Sequence, residues 1–343
     1  MKPLYSFLNK NEIVLTCVGD ILAHEEVIWD AVSEKGYYFD KMFDLVRPII
    51  KDSDLAFCNQ ESLIGGVKQG LHGGEFKKVG FEKNPVFNSP FELGDAVYNC
   101  GFNMISLANN HVLDNGEASV RNSIQFWHEK NIITSGSWNT DINRKLGNAK
   151  IYSKNGIKFA FLAYTTRYNS IIPEPGKEYL TNIFSKEKAA EDIKQVRDRA
   201  DVVIVSMHWG TEYNLGKTDS EQRGVARFLS ELGVDLIIGH HPHVIEPIER
   251  INNTLVIYSL GNFIACQTGD VLMKRIGAIV KVKIKKTNNR VKIDLIDTEL
   301  TYIYYNSKEH TDFKIIPFNQ LDDKHLRNYK EIEKEYKKYI KYN

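Results

Sequence analysis

The chain has 343 residues, enough for one large α/β domain or two ordinary ones with a sizeable buried core. Its 45 Lys and Arg nearly cancel 44 Asp and Glu, and a formal net charge of +1 provides no overall field to draw it to nucleic acid or an anionic membrane. Cys17, Cys58, Cys100 and Cys266 are far apart and show no C-x-x-C spacing, which argues against a structural zinc site or disulfide framework and leaves core thiols.

Met1 to Glu12 carries neither the basic nor the apolar region of a secretory signal, and no apolar run approaches about 18 residues, so no membrane segment and a cytoplasmic location are expected. An apolar strand is predicted at 13–18, a helix at 39–51 and a strand at 55–58, followed by a glycine-rich loop at 65–74 that either covers a site or is simply mobile. Ser89 and Pro90 start a helix over 90–100, stopped by Gly101 before a strand at 104–107. A helix at 117–130 and a strand at 158–164 come next. A helix at 186–200, a strand at 202–207, a helix at 220–232 and strands at 236–238 and 255–259 continue the alternation. This is the pattern of an α/β domain with a largely parallel central sheet. After Gly277 an alternating run, a Thr-Asn-Asn-Arg turn and a second alternating run predict an antiparallel hairpin at a sheet edge. Residues 1–305 are read as one domain, and 306–343 as a C-terminal extension packed on it, helical over 322–342.

Five of the apolar strands are followed at once by side chains that bind metals: Asp20, Asn59-Gln60-Glu61, Asn109-Asn110-His111, His208-Trp209-Gly210 and Gly239-His240-His241-Pro242-His243. Open α/β sheets place their sites beyond the carboxyl ends of strands, where these groups would converge. Singly each has an ordinary reading, with Asp20 as a helix cap, Glu61 as a solvated acid and His208 as a core histidine. Jointly they point to a metal centre, and mixed nitrogen and oxygen donors suit Zn²⁺, Mn²⁺ or Fe²⁺ better than Ca²⁺.

The stretches Thr16-Cys-Val-Gly-Asp20-Ile-Leu, Asn59-Gln-Glu61-Ser-Leu, Ser106-Leu-Ala-Asn-Asn110-His111-Val-Leu-Asp114-Asn-Gly116, His208-Trp-Gly-Thr-Glu212-Tyr213, Gly239-His-His241-Pro-His243-Val and Tyr258-Ser-Leu-Gly-Asn262-Phe resemble the CapA/PgsA family. That family comprises bacterial capsule and poly-γ-glutamate synthesis proteins and looks like a branch of the calcineurin-like metallophosphatases. The resemblance implies an α/β sandwich of α/β/β/α layers with two divalent metal ions at the C-terminal ends of the strands. It implies that Asp20, Glu61 and His243 hold one metal, and that Glu61, Asn110, His208 and His241 hold the other. His111 would protonate the leaving group, and Asp114 would orient its imidazole, although the wider superfamily's acid directly follows the His. His24 stands four residues after Asp20 where the wider superfamily has Asp-x-His, and both ligation and a supporting or surface role stay open. The His-x-His pattern is met by His241 and His243, which leaves His240 to point elsewhere.

Lys77, Lys78, Arg223 and the Lys274-Arg275 pair are candidate substrate cations, with Arg167 the best placed because a guanidinium grips phosphate or carboxylate in two-toothed fashion. Trp209 and Tyr213 are candidates to stack on a substrate, or packing residues. The expected function is two-metal hydrolysis of a phosphoester, or of an amide or ester in an anionic surface polymer or its precursor. The alternative is a non-catalytic accessory protein for capsule or poly-γ-glutamate assembly or export. Neither a basic stripe nor a nucleic-acid-binding motif is present, so no nucleic-acid partner is expected.

Overall fold

Side-chain parity along the buried strands sets the architecture of the computed structural model, which describes residues 11–79, 82–169, 171–269, 271–288 and 290–342, the side chains of 78, 79 and 82 excepted. In strand Ile157–Thr165, Phe159, Phe161 and Ala163 face one core while Ala160, Leu162 and Tyr164 face another, as a period of two requires. The first set meets Ile13, Leu15, Leu55 and Phe57 of a second sheet, all buried. Two sheets therefore pack face to face.

Among the described residues, the larger sheet has eight strands. Its path runs Thr311–Pro317, Arg290–Asn306, Ile276–Thr287, Glu12–Ile21, Leu55–Gln60, Met104–Ser106 and Ile133–Ser135, with Asn262–Ile264 also paired to Glu12–Ile21. The smaller sheet runs Ile248–Ile251, Thr254–Ile257, Leu236–His240, Val202–His208, Ile157–Thr165 and Tyr152–Lys154. In the larger sheet the strands from Glu12–Ile21 to Ile133–Ser135 pair in parallel and the strands on the other side of Glu12–Ile21 are antiparallel; in the smaller sheet the central strands are parallel and both edges antiparallel.

Helices Phe91–Cys100 and Gly116–Glu129 cover the outer face of the larger sheet through Leu93, Ala96, Val97 and Trp127. Helices Lys186–Arg197 and Ser220–Glu231 cover the smaller one through Ala189, Ile193, Val196, Val225, Ala226 and Leu229. The result is an α/β/β/α sandwich. Each fully buried Leu, Ile or Phe in the three cores between its layers contributes about 1.5–3 kcal/mol of hydrophobic stabilisation.

The helix expected over 39–51 is instead a 3₁₀ turn, Asp40–Phe43, and a short helix, Arg47–Lys51. Pro48 lacks an amide hydrogen and fits only a first turn, so the run cannot be continuous. The glycine-rich segment leads into a hairpin, His72–Val79 with Glu82–Asn88. The predicted hairpin after Gly277 forms and pairs with Glu12–Ile21. Beyond 306 the chain first adds strand Thr311–Pro317 to the larger sheet, and only Tyr329–Tyr336 is helical. Tyr336 and Ile340 are buried in the inter-sheet core. All four cysteines are buried and none forms a disulfide. No helix among the described residues is long and apolar enough to cross a membrane. Residues 1–10, which bear on the leader reading, lie outside the described residues, as does the Lys78 side chain.

Candidate metal centre

Two glycines let the backbones approach where the strands end. A Cβ on Gly19 would lie 1.9 Å from the Gly261 carbonyl oxygen, and one on Gly239 would lie 1.9 Å from that of Tyr258. The residues that follow them, Asp20 and His240, are thereby brought into contact, with His240 Nδ1 3.1 Å from Asp20 Oδ1. Asn59, opposite Asp20 in the next strand, donates from Nδ2 to Asp20 Oδ1 at 2.8 Å. On the other side Asn262 pairs in register with Asp20, and its Oδ1 accepts from His243 Nδ1 at 3.0 Å. That bond turns His243 Nε2 towards Glu61, 3.7 Å from Oε1.

Glu61 is 0 % exposed and, among the described residues, neither carboxylate oxygen has a hydrogen-bond partner. A buried, unsatisfied carboxylate is costly, and its neighbours explain what would relieve it. Donor atoms of Glu61, His241 and His243 all lie within 4.8 Å of one another, and His208 Nε2 is 3.5 Å from Glu61 Oε1. His241 Nδ1 is likewise buried and has no partner among the described residues. The donor set of carboxylate and imidazole fits a divalent cation.

The electrostatics follow from burial and from these contacts. Burial pushes Glu61 well above the usual carboxylate range. Burial acts the same way on Asp20, yet hydrogen bonds and charge from His240 and His243 hold it well below that range. Burial, with neighbouring imidazoles, pushes His208 and His241 well down, so both are neutral, the form that binds metal. Burial would lower His243 too, but the carboxylates of Glu61 and Asp20 outweigh it and raise it to about 9.

A second group borders this cluster. His208 Nε2 lies 2.8 Å from Asn110 Oδ1, and Asn110 Nδ2 donates to Asn169 Oδ1 at 3.0 Å. Asn109 Oδ1 accepts from the His111 amide at 2.9 Å. His111 Nδ1 is 2.7 Å from Asp114 Oδ2, which also accepts from the Phe87 amide at 2.9 Å. With Nδ1–H directed at a carboxylate, Nε2 is the ring nitrogen left for the cleft. That cleft, about 130 Å³, is lined by His24, Phe76, Phe87, His111, Glu212, Tyr213 and His243, among others.

Asp20, Glu61, Asn110, His208, His241 and His243 thus lie together, with His111 and Asp114 alongside. Tyr213 lines the cleft, its ring 6.0 Å from that of His243. His24 lines it too, but stands apart from the Glu61 cluster. Its Nδ1 accepts from the Cys266 amide at 3.1 Å, and burial pushes its pKa down to about 3.

Trp209 is not a stacking residue. It is 0 % exposed in the outer core of the smaller sheet and donates to the Tyr258 carbonyl at 3.0 Å. It shares the parity of Val203, Val205 and Met207, so it turns away when His208 turns in. Arg167 is bound to Glu221 at 2.8 Å and does not line the cleft. Arg275 lies against the rings of Tyr302 and Tyr305. His240 does not point elsewhere, since it contacts Asp20. Asn59, Asn169 and Asn262, which hold the ligand candidates in place, and Glu212, 4.0 Å from His241 Nε2, were not assigned roles from sequence. Asn59, Glu212 and Asn262 all fall inside the recognised motifs, which was the available signal.

The chain is 31% identical over 291 residues to a PGA biosynthesis protein CapA of Bacillus subtilis, covering 82% of this chain and 70% of that protein. It is 28% identical over 259 residues to a capsule biosynthesis protein CapA of Bacillus anthracis, covering 74% of this chain and 60% of the relative. Among solved structures it is similar to the calcineurin-like phosphoesterase YfkN from Bacillus subtilis, at 12% identity and a TM-score of 0.47, covering 95% of this chain and 98% of the other. Residues 14–267, which contain every ligand candidate, match the family described as bacterial capsule synthesis protein PGA_cap, and the chain belongs to that family.

Proposed function

We propose that this chain is a two-metal-dependent hydrolase acting in bacterial surface-polymer synthesis. The observation that carries the reading is the Glu61 carboxylate, fully buried, without a hydrogen-bond partner among the described residues and grouped with His241 and His243. Asp20, Glu61 and His243 would hold one divalent cation; Glu61, Asn110, His208 and His241 would hold the other, with Mn, Fe or Zn the metals that suit these donors. When bound, such cations supply Lewis acidity at the scissile group and make water more acidic.

The chain's own residues supply the rest. Water's oxygen joins the electrophilic centre, and the bond to the leaving oxygen or nitrogen breaks with its electron pair on that atom. His111 donates the proton the leaving atom needs and recovers one from the consumed water, with Asp114 holding the imidazole in the required tautomer. The Phe87 amide fixes Asp114 in turn.

Metal-loaded protein is expected to cleave a generic phosphodiester or a glutamyl amide. Loss of both activities with metals present by elemental analysis would remove the reading. A second reading, an accessory role in polymer assembly or export, rests on the word biosynthesis in the relatives' names. It requires that His111→Ala change nothing measurable in polymer production.

A further inference from the structure

Amide groups have a donor end and an acceptor end, and a run of them beside the metal centre can be read link by link. Asn262 Nδ2 lies 2.9 Å from the Lys274 carbonyl oxygen and 3.4 Å from that of His243. Carbonyl oxygens only accept, so the nitrogen end of this amide is fixed there and its oxygen faces His243 Nδ1, 3.0 Å away. The same nitrogen donates to Gln267 Oε1 at 3.1 Å, which turns Gln267 Nε2 to the Tyr213 hydroxyl oxygen at 3.2 Å. Each link leaves one orientation for the next. The Tyr213 oxygen accepts, and its own hydrogen must be given elsewhere.

The phenol is held firmly in that attitude. Tyr213 has a φ of 63°, in the left-handed region that a side chain with a Cβ disfavours, and its amide donates to the Pro242 carbonyl at 2.8 Å. Lys274 Nζ stands 4.2 Å from the ring centroid, so that face of the ring is taken and the hydroxyl is the end left for a ligand. Tyr213 and Gln267 both line the cleft, together with His111 and His243. Among the described residues, the acceptor that reaches this hydroxyl is the carboxylate of Glu212, whose side chain is 42 % exposed and can move aside.

Resting on the hydrolase reading, we infer that Tyr213 is a catalytic residue whose hydroxyl donates to the oxygen of the scissile group that stays behind and carries negative charge. Gln267 and Asn262 are its positioning residues. No proton changes hands in this step; the O–H bond stays whole, and the hydrogen bond tightens as charge builds on the acceptor. His111 serves the leaving atom, Tyr213 the oxygen that remains. A phenol that already accepts from an amide is a stronger donor than a free one. Glu212 yields the hydrogen to the incoming oxygen.

The test uses the full metal-loaded chain, with kcat/KM read on whichever of bis-p-nitrophenyl phosphate and γ-glutamyl-p-nitroanilide it cleaves, and with binding of inorganic phosphate read by calorimetry. Tyr213→Phe keeps the ring and loses the hydroxyl. It should lower kcat/KM about 10–100-fold and phosphate affinity about tenfold, the worth of one hydrogen bond to a charged group, with metal content and Tm as in the parent. Gln267→Glu is the sharper probe, because it keeps the shape and still accepts from Asn262, yet its second oxygen takes the phenol's hydrogen. It should lose as much as Tyr213→Phe with the phenol still in place, and the double variant should lose no more than either alone. A loss under threefold in both readouts for Tyr213→Phe overturns the inference and leaves the hydrolase standing. So does a Gln267→Glu loss that adds to it, since added charge alone would do that. A metal-loaded parent that cleaves neither substrate overturns both.

Discussion

The core between the sheets and the rim where the same strands end are equally dry, and their chemistry is opposite. Phe57 and Glu61 sit four residues apart and are both 0 % exposed. Phe57 is satisfied by the apolar groups around it, including Phe161 at 5.9 Å. Glu61 has imidazole neighbours but no hydrogen-bond partner among the described residues. The body of the sandwich packs apolar groups against one another, whereas at its end a buried acid stands among imidazoles. Burial alone therefore does not separate structural from functional residues; a buried acid grouped with imidazoles is the better mark.

The contrast can be broken most severely by chemistry. His111→Ala should lower kcat about 10²–10⁴-fold, the usual worth of a proton donor, with bound metal unchanged by elemental analysis. Parallel loss of metal would show that His111 belongs to the ligand set instead. In the core, Phe57→Ala should cost about 3–5 kcal/mol in denaturant unfolding, while the shift produced by a chelator stays as in the parent. Free metal about 100-fold above its Kd should stabilise the fold by about 2.7 kcal/mol. A chelator should reverse this in the parent protein and do nothing to Glu61→Gln, as read by Tm.

Glu246 offers a finer control, another acid at 0 % exposure, outside the imidazole cluster. It accepts from Gln222 Nε2 at 2.6 Å, and burial pushes its pKa up to about 9 from 4.5. A raised acid contributes its full stability below the unfolded pKa and loses it as pH climbs through the folded one. Glu246→Gln keeps the acceptor and has no proton to lose. Its advantage over the parent should grow between about pH 5 and 9, by at most about 6 kcal/mol for a shift of that size, in thermal melts across pH. A constant difference would show that Glu246 is held by something other than burial.

Much of this was legible in the sequence because buried parallel strands are continuous apolar runs, and a metal-binding side chain directly after such a run is conspicuous. Every predicted strand forms within a few residues of its expected bounds. Parity was the unused information: counted from Val203, it turns Trp209 outward and His208 inward. The asparagines were harder. Asn59 touches His208 across 149 positions of sequence, and Asn169 touches His111 across 58. Such pairings exist only once two sheets are stacked, so no local pattern announces them. The strand Thr311–Pro317 was missed for a related reason, since an edge strand is chosen by its partner more than by its own composition.

His241 and His243 flank Pro242 with φ values of 96° and 57°. Both fall in the left-handed region, where a side chain bearing a Cβ costs roughly 1–2 kcal/mol and glycine would be relaxed. The turn is thus a cocked spring whose tension the surrounding sandwich maintains. Because the awkward geometry is imposed during folding, an incoming ion would find both rings already aimed. Its capture would be governed by shedding its own hydration shell, with little rearrangement left for the protein to make.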